Sequence, residues 1–300
     1  MYSHHCILTT LRSMLAVLTL ALMSTMLESC LSDELQPCPR VRLMVSVQDY
    51  NYSNASRIDD EQLKPVGAPM RTYVKSLSYH VVSVETGRVV AESVAEEASS
   101  QDSIVQILLP TDLPLGRYAV AVWGGLDEGT PSPSMLPLDD AHDPYLACDT
   151  IRYDDTHHDF QLRLRRVKSK LHIDVEGIPV QYHAVASQKE TTGLYEEVDD
   201  EFRYEGDGYE MRRARFSGAE VETQTILPPS VAYNSTRVSI QIYDAEGNPI
   251  PELDPRDVVI TLYRNTITAL RYVYNNDRHD FDIYVKINDE WESASQMEIE

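Results

Sequence analysis

The sequence predicts an all-β protein, on three observations. Apolar and polar residues alternate over several short segments, turn residues separate these segments, and no long stretch has helical periodicity. Because successive side chains of a strand point to opposite faces, a period of two with one apolar face indicates half-buried strands of a sandwich or a barrel. The clearest alternation lies in residues 118–122, 160–164, 171–175, 238–242 and 281–287.

Turn residues and composition suggest how these strands are grouped. Residues 85–88 and 244–249 each contain a glycine that can adopt the positive φ of a hairpin turn. The similar layout of the two halves hints at two related domains. The Pro- and Asp-rich passage 127–159 predicts a surface loop that runs into a linker, with Phe160 beginning a new block of strands. Residues 187–220 fit either a charged hairpin or a loop.

The N-terminus predicts export and lipid attachment. The stretch from Leu11 to Cys30 carries one cation, Arg12, near its start, and its continuous apolar part, residues 14–23, is too short to span a bilayer, which takes about 20 apolar residues. We therefore interpret residues 1–29 as a signal peptide. Cys30 follows Leu-Glu-Ser, which indicates a lipobox in which this thiol is acylated, and residues 30–40 then form a polar tether. A plain secreted protein is the alternative, since Glu28 is unusual before such a cleavage site.

Charge and cysteine content restrict the partners and the compartment. A net charge of −22 disfavours nucleic acid and anionic lipid headgroups. The predicted membrane contact is therefore the covalent lipid on Cys30, and no other cofactor is expected. Of the 4 cysteines, Cys38 and Cys148 are the pair left for a disulfide in an oxidising compartment. Such a bridge would close a loop of about 110 residues and stabilise by roughly 4 to 5 kcal/mol, but two unpaired thiols are equally compatible with the sequence.

No segment carries the pattern of a catalytic or metal site. The sequence lacks G-x-S-x-G, H-E-x-x-H, P-loop and dinucleotide fingerprints, which predicts that the protein is not an enzyme. His157 and His158 are adjacent, so on a strand they would point to opposite faces and would not chelate one ion. The acidic clusters lack the glycine-punctuated spacing of a calcium loop. We expect no metal.

Several segments, in order, resemble a known family. They are the lipobox cysteine, Asp33–Pro39, the Glu-Thr-Gly-Arg turn, Leu113–Gly125, Leu162–Arg166, Lys170–Gly177 and Phe281–Trp291. Together they are similar to the FimB-like anchor subunits of type V fimbriae, which are lipoproteins of Gram-negative gut and oral anaerobes.

The resemblance implies two tandem transthyretin-like (Greek-key) β-sandwich domains, here residues 41–157 and 158–300. It also implies an outer-membrane anchor at the base of a fimbria that holds the shaft subunits by β-strand addition and limits fibre length. The retained N-terminal strand would be Val41–Val47. A donor strand at the C-terminus would present Phe281, Ile283, Val285 and Ile287, although the same segment also fits the last strand of the second sandwich.

A second function fits the same surface location. A lipoprotein adhesin that binds glycan or host protein would use exposed aromatic side chains on one face. The candidates are Trp123, Tyr204 and Tyr209. Trp123 also fits a core aromatic at the end of a strand, followed by a glycine turn.

Overall fold

The computed structural model describes residues 39–58, 61–125, 142–154, 156–194, 205–215, 220–227, 229–230 and 232–294. From Arg40 onward, the described residues form one compact unit. The strands are β1 Arg42–Val47, β2 Ser76–Ser83, β3 Val89–Glu97, β4 Ile104–Leu108, β5 Gly116–Gly124, β6 Tyr145–Tyr153, β7 Asp159–Arg166, β8 Ser169–Glu176, β9 His183–Leu194, β10 Glu205–Arg215, β11 Glu220–Leu227, β12 Thr236–Tyr243, β13 Val258–Ile260, β14 Ile267–Asn275, β15 Asp280–Lys286 and β16 Glu292–Ser293. Short 3-10 helices lie at Ala55–Arg57, Met70–Thr72 and Pro251–Leu253.

Strands β1 to β7 form the N-terminal sandwich. They make one 7-stranded sheet in the order β3-β2-β5-β6-β7-β1-β4. Strands β6 and β7 pair only where Tyr145 and Leu146 meet Arg166 and Arg165, so the sheet folds there into two layers. In the second layer, β1 runs parallel to β7 and antiparallel to β4.

Strands β8 to β16 form the C-terminal sandwich, which repeats this topology. One layer is β10-β9-β12-β13 and the other is β11-β8-β14-β15-β16. Strand β8 runs parallel to β14 and antiparallel to β11. In the same way, β1 runs parallel to β7 and antiparallel to β4. Two further strands extend one edge of the second layer of this sandwich. Strand β15 pairs antiparallel with β14, and the short β16 pairs with β15. The two sandwiches therefore share one strand order.

Each sandwich has its own hydrophobic core between its layers. The N-terminal core joins residues of all seven strands, including Leu43, Leu77, Ile107, Val122 and Leu164. The C-terminal core includes Leu171, Ile173, Ile240, Leu270 and Tyr272. These residues lie on the buried faces of their strands, so burial of one face per strand accounts for both layers.

The division between the halves differs from the sequence-based boundary near residue 157. Strand β7 pairs with β1 and contributes Leu162 and Leu164 to the N-terminal core. The connection between the sandwiches is therefore the short link Val167–Lys168, whose side chains are fully buried. The Pro- and Asp-rich passage suggested a linker because loops and linkers share that composition.

The all-β fold class is confirmed, whereas the transthyretin-like topology stays a prediction. Gly87 and Gly247 adopt positive φ values of 66° and 87°, which confirms both turn predictions. Residues 187–220 include β9 and β10, which pair antiparallel. Within the described part of the chain, no helix is long and apolar enough to cross a membrane.

Candidate functional site: the domain junction and the C-terminal strand

The predicted retained strand is deeply embedded in the N-terminal sandwich. In β1 and the residue before it, Val41, Leu43, Val45 and Val47 are at most 4% exposed and point into the core. Both edges of β1 are paired, with β7 on one side and β4 on the other. At its start, Arg42 forms an exposed ion pair with Asp159. Removing this strand would open a groove in the middle of the layer.

The predicted donor segment forms β15 and lies in its own sandwich. Phe281, Ile283 and Val285 are buried in the C-terminal core, and Ile287 packs against the core while half-buried. Strand β15 pairs with β14 over its whole length, and the Ala294 amide donates to the Ile283 carbonyl at 2.8 Å. These residues therefore have the alternating apolar face that strand addition needs. Their transfer to another subunit stays a prediction.

The predicted cysteine sites lie mostly outside the described residues. The described residues begin at Pro39 and so do not include Cys30, the signal peptide or the tether up to Cys38. Lipid attachment therefore stays a prediction. Cys148 lies half-buried on β6 and packs against the small cluster of Trp123, Leu146 and Val167. The bridge between Cys38 and Cys148 likewise stays a prediction.

The two sandwiches meet around Arg166, the last residue of β7, which is 2% exposed. Its Nε donates to Asp143 Oδ2 at 2.8 Å and its Nη1 donates to Asn265 Oδ1 at 2.9 Å. Its Nη2 donates to the Tyr145 hydroxyl. The guanidinium also lies 4.0 Å from the centre of the Tyr52 ring, a cation–π contact. One side chain thus joins residues of both sandwiches.

Further polar contacts surround this centre. Asp49 accepts from the Arg166 amide at 2.9 Å and pairs with Arg264 of the C-terminal sandwich at 3.2 Å. Arg264 also donates to the Arg166 carbonyl at 2.7 Å. Lys170 of β8 pairs with Glu61 at 2.7 Å, with both side chains mostly buried. Buried ion pairs fix a geometry more than they add net stability, so these contacts define one arrangement of the junction.

Burial shifts the pKa values of ionisable side chains at the junction. Desolvation raises the pKa of the Tyr52 and Tyr145 hydroxyls far above the value of free tyrosine. Desolvation alone would lower the pKa of Arg166, but Asp143 and the two tyrosines favour its charged form and the net shift is upward. The junction therefore holds a permanent cation beside neutral phenols.

A second contact joins the segment after β1 to the end of the C-terminal strand. Asn54 is 5% exposed, and its Oδ1 accepts from the Ile267 amide at 2.9 Å. Its Nδ2 donates to the carbonyls of Ile267 at 2.8 Å and of Ile287 at 2.6 Å. The β14–β15 ladder begins with Ala269 opposite Lys286, so Asn54 binds just beyond the end of that ladder.

Neighbouring contacts reinforce this position. The Ser53 amide donates to the Asn265 carbonyl at 2.8 Å. Arg57 pairs with Asp289 at 3.1 Å, and Trp291 packs against the cluster that contains Ala55 and Ile58. We call Ser53–Arg57 the junction clamp.

The main candidate for the exposed aromatic surface of an adhesin is buried. Trp123 is 2% exposed, and its ring packs edge-on against His80 with centroids 5.3 Å apart. Tyr204 lies outside the described residues, and only the backbone of Tyr209, in β10, is described. Among the described residues, no group of three His, Cys, Asp or Glu side chains is placed to hold a metal ion.

The sequence did not single out Arg166, Asn54 or Asp49. A buried arginine and a buried asparagine look like ordinary polar residues of a strand end and a loop. One local signal was present, since Arg166 stands where the alternation of Leu162 and Leu164 would place the next apolar residue at the end of β7.

No family model matches the chain, and no curated protein matches it. Solved structures do resemble it. A candidate adhesin from Bacteroides thetaiotaomicron is 15% identical, with a TM-score of 0.53 and coverage of 87% of this chain and 100% of that chain. A candidate polysaccharide-binding protein from the same species is 13% identical, with a TM-score of 0.51 and coverage of 84% and 98%. At these identities the likeness supports the all-β fold alone.

The fimbrial anchor protein Mfa2 from Porphyromonas gingivalis also aligns, at 13% identity over 84% of this chain and 99% of that chain. Its TM-score is 0.46, which is too low to support a conclusion about fold or function.

Proposed function

We propose that this protein is a lipid-anchored subunit of the outer membrane that holds the base of a type V fimbria. Its lipid is attached to Cys30, and its partner is a shaft subunit joined by β-strand addition. The protein carries out no catalysis in this proposal, and no cofactor takes part besides the lipid.

The observation that carries the proposal is the position of β1. This strand follows the tether directly and fills the centre of a layer, with both edges paired. A subunit that keeps this strand has no open groove there for a further subunit behind it, so it ends a fibre. The tether, residues 30–40, spans at most about 36 Å at about 3.3 Å per residue, which would keep the sandwich close to the lipid.

The energetics of β1 support its retention. Three core positions of β1, together with Val41 just before it, are almost completely buried. At about 1.5 to 3 kcal/mol for each buried aliphatic side chain, they contribute about 6 to 12 kcal/mol, close to the whole stability of a typical domain. The N-terminal sandwich therefore requires either β1 or a replacement strand of the same alternating pattern.

The first test compares cells that carry the wild-type protein with cells that carry Cys30→Ala. Fibre length and fibre release into the medium are scored by electron microscopy and immunoblot. Long or shed fibres in the variant are expected if the protein is the foot of the shaft. Unchanged fibres, together with loss of the variant protein from the membrane, would contradict the proposal.

The alternative is a lipoprotein adhesin for glycan or host protein. It needs an exposed binding surface, and Trp123 does not provide one because it is buried. Crosslinking on cells separates the two functions: capture of a fimbrial subunit favours the anchor, whereas a surface complex that contains none favours the adhesin.

A further inference from the structure

We propose that the junction clamp Ser53–Arg57 is a latch that keeps the hairpin of β15 and β16 closed, with Asn54 as its central residue. The N-terminal sandwich would thereby control when the C-terminal strand can open. The consequence for fibre assembly rests on the proposed function, whereas the latch itself is a property of this chain.

The chemistry of Asn54 fits this role. It satisfies one backbone amide and two backbone carbonyls at the open end of the β14–β15 ladder. Among side chains of this length, only the amide of asparagine offers an acceptor and two donors at once. The Ile287 carbonyl follows β15 directly, so the side chain ties the end of that strand to the first residue of β14.

Other contacts of the clamp involve the chain that follows β15. Arg57 and Asp289 attract each other beyond the end of β15. Trp291 packs against the apolar cluster to which Ala55 of the clamp belongs, and the Arg271 guanidinium lies 4.4 Å from the centre of its ring. The chain between β15 and β16 is thus held at several points by a segment more than 200 residues earlier in the sequence.

Asn51 provides a matched control three residues away. Its side chain also binds one backbone amide and one backbone carbonyl, both of Lys64, at 2.8 and 3.0 Å. These contacts stay within the N-terminal half. Asn51→Asp and Asn54→Asp make the same chemical change, but only the second places a carboxylate against a carbonyl of the C-terminal strand.

The test is hydrogen exchange measured by mass spectrometry on the full mature chain. In Asn54→Asp, we expect exchange over residues 280–287 to accelerate at least tenfold, which corresponds to about 1.4 kcal/mol of lost protection. Exchange over residues 169–176 in β8 should change less than twofold, and Asn51→Asp should leave residues 280–287 unchanged. Equal acceleration in both segments, or the same effect of Asn51→Asp, would overturn the latch.

A second variant covers the case in which Asn54→Asp does not fold. Arg57→Glu turns an exposed attraction to Asp289 into a repulsion, without burying a charge. We expect exchange over residues 280–294 to accelerate about two- to fivefold; no acceleration would overturn the latch.

Crosslinking on cells then separates the latch from the proposed function. If Asn54→Asp is crosslinked to more fimbrial subunit than Asn51→Asp is, the result supports both the latch and the proposed function. A hairpin that opens faster with no change in crosslinking leaves the latch in place and counts against strand donation by β15.

Discussion

Replacement of Arg166 by methionine should loosen the junction between the sandwiches. Methionine keeps an unbranched stem but removes the guanidinium, which leaves Asp143 without its ion-pair partner and Asn265 and Tyr145 without a donor. Breaking a buried pair costs about 3 to 5 kcal/mol. Asp143 keeps 24% of its side chain exposed and can be partly rehydrated, so we expect a loss of about 3 kcal/mol.

Thermal and urea unfolding followed by circular dichroism measure this loss. For a chain of this size, about 3 kcal/mol lowers the melting temperature by about 6 to 12 °C. Arg42→Met is the control, because its ion pair with Asp159 is about half exposed and should contribute less than about 1 kcal/mol. Arg166→Lys should fall between the two, since it keeps the charge but loses the fork geometry. An Arg166→Met melting temperature no lower than that of Arg42→Met would refute the role of the junction.

Three further predictions concern single residues. Among the described residues, the Tyr52 and Tyr272 hydroxyls are buried without a hydrogen bond, so Tyr→Phe at either position should be neutral or stabilising by up to about 1 kcal/mol in urea unfolding. Burial raises the pKa of both hydroxyls, so they stay neutral in the folded chain while the same hydroxyls ionise in the unfolded chain near pH 10, and the folded state loses stability as the pH rises above that value. Between pH 9 and 11 the unfolding free energy should therefore fall by about 1.4 kcal/mol less in each variant than in the wild type. Gly125→Ala should cost at least about 2 kcal/mol in the same assay, since φ is +80° and a Cβ would lie 2.5 Å from a backbone carbonyl oxygen; a loss below about 0.5 kcal/mol would contradict the geometry. In Trp291→Phe, the remaining Trp123 should emit as a buried indole resistant to acrylamide quenching, whereas strong quenching would favour the adhesin.

Local patterns predicted much of the fold because strands and turns depend on neighbouring residues. The alternating segments 118–122, 171–175 and 238–242 all lie in strands, and the glycine turns have the expected φ. Local sequence patterns could not predict which sandwich β7 belongs to. Its parallel pairing with β1 joins residues more than 100 positions apart, and periodicity carries no information about such pairing.

The candidate site was less accessible to sequence reasoning for the same physical reason. Asn54 and Ile267 are 213 residues apart, and only the folded chain reveals that an asparagine side chain completes a strand end. Arg166 stands beside Arg165 in the sequence, yet it is only 2% exposed. Polar residues acquire such roles through their partners, which no single segment contains.

Contacts near the start of the described chain reach the C-terminal strand. Strand β1 leads within a few residues to Asp49, which contacts Arg166 and Arg264, and then to Asn54, which binds beside β15. A buried link of two residues leaves little freedom for a hinge between the sandwiches. In the proposed function, tension between the lipid and the shaft would therefore pass through β1 and the junction to β14 and β15. Because the junction is polar as well as buried, sliding of one sandwich over the other would leave charges and carbonyls unpaired, and this cost opposes bending of the base under load.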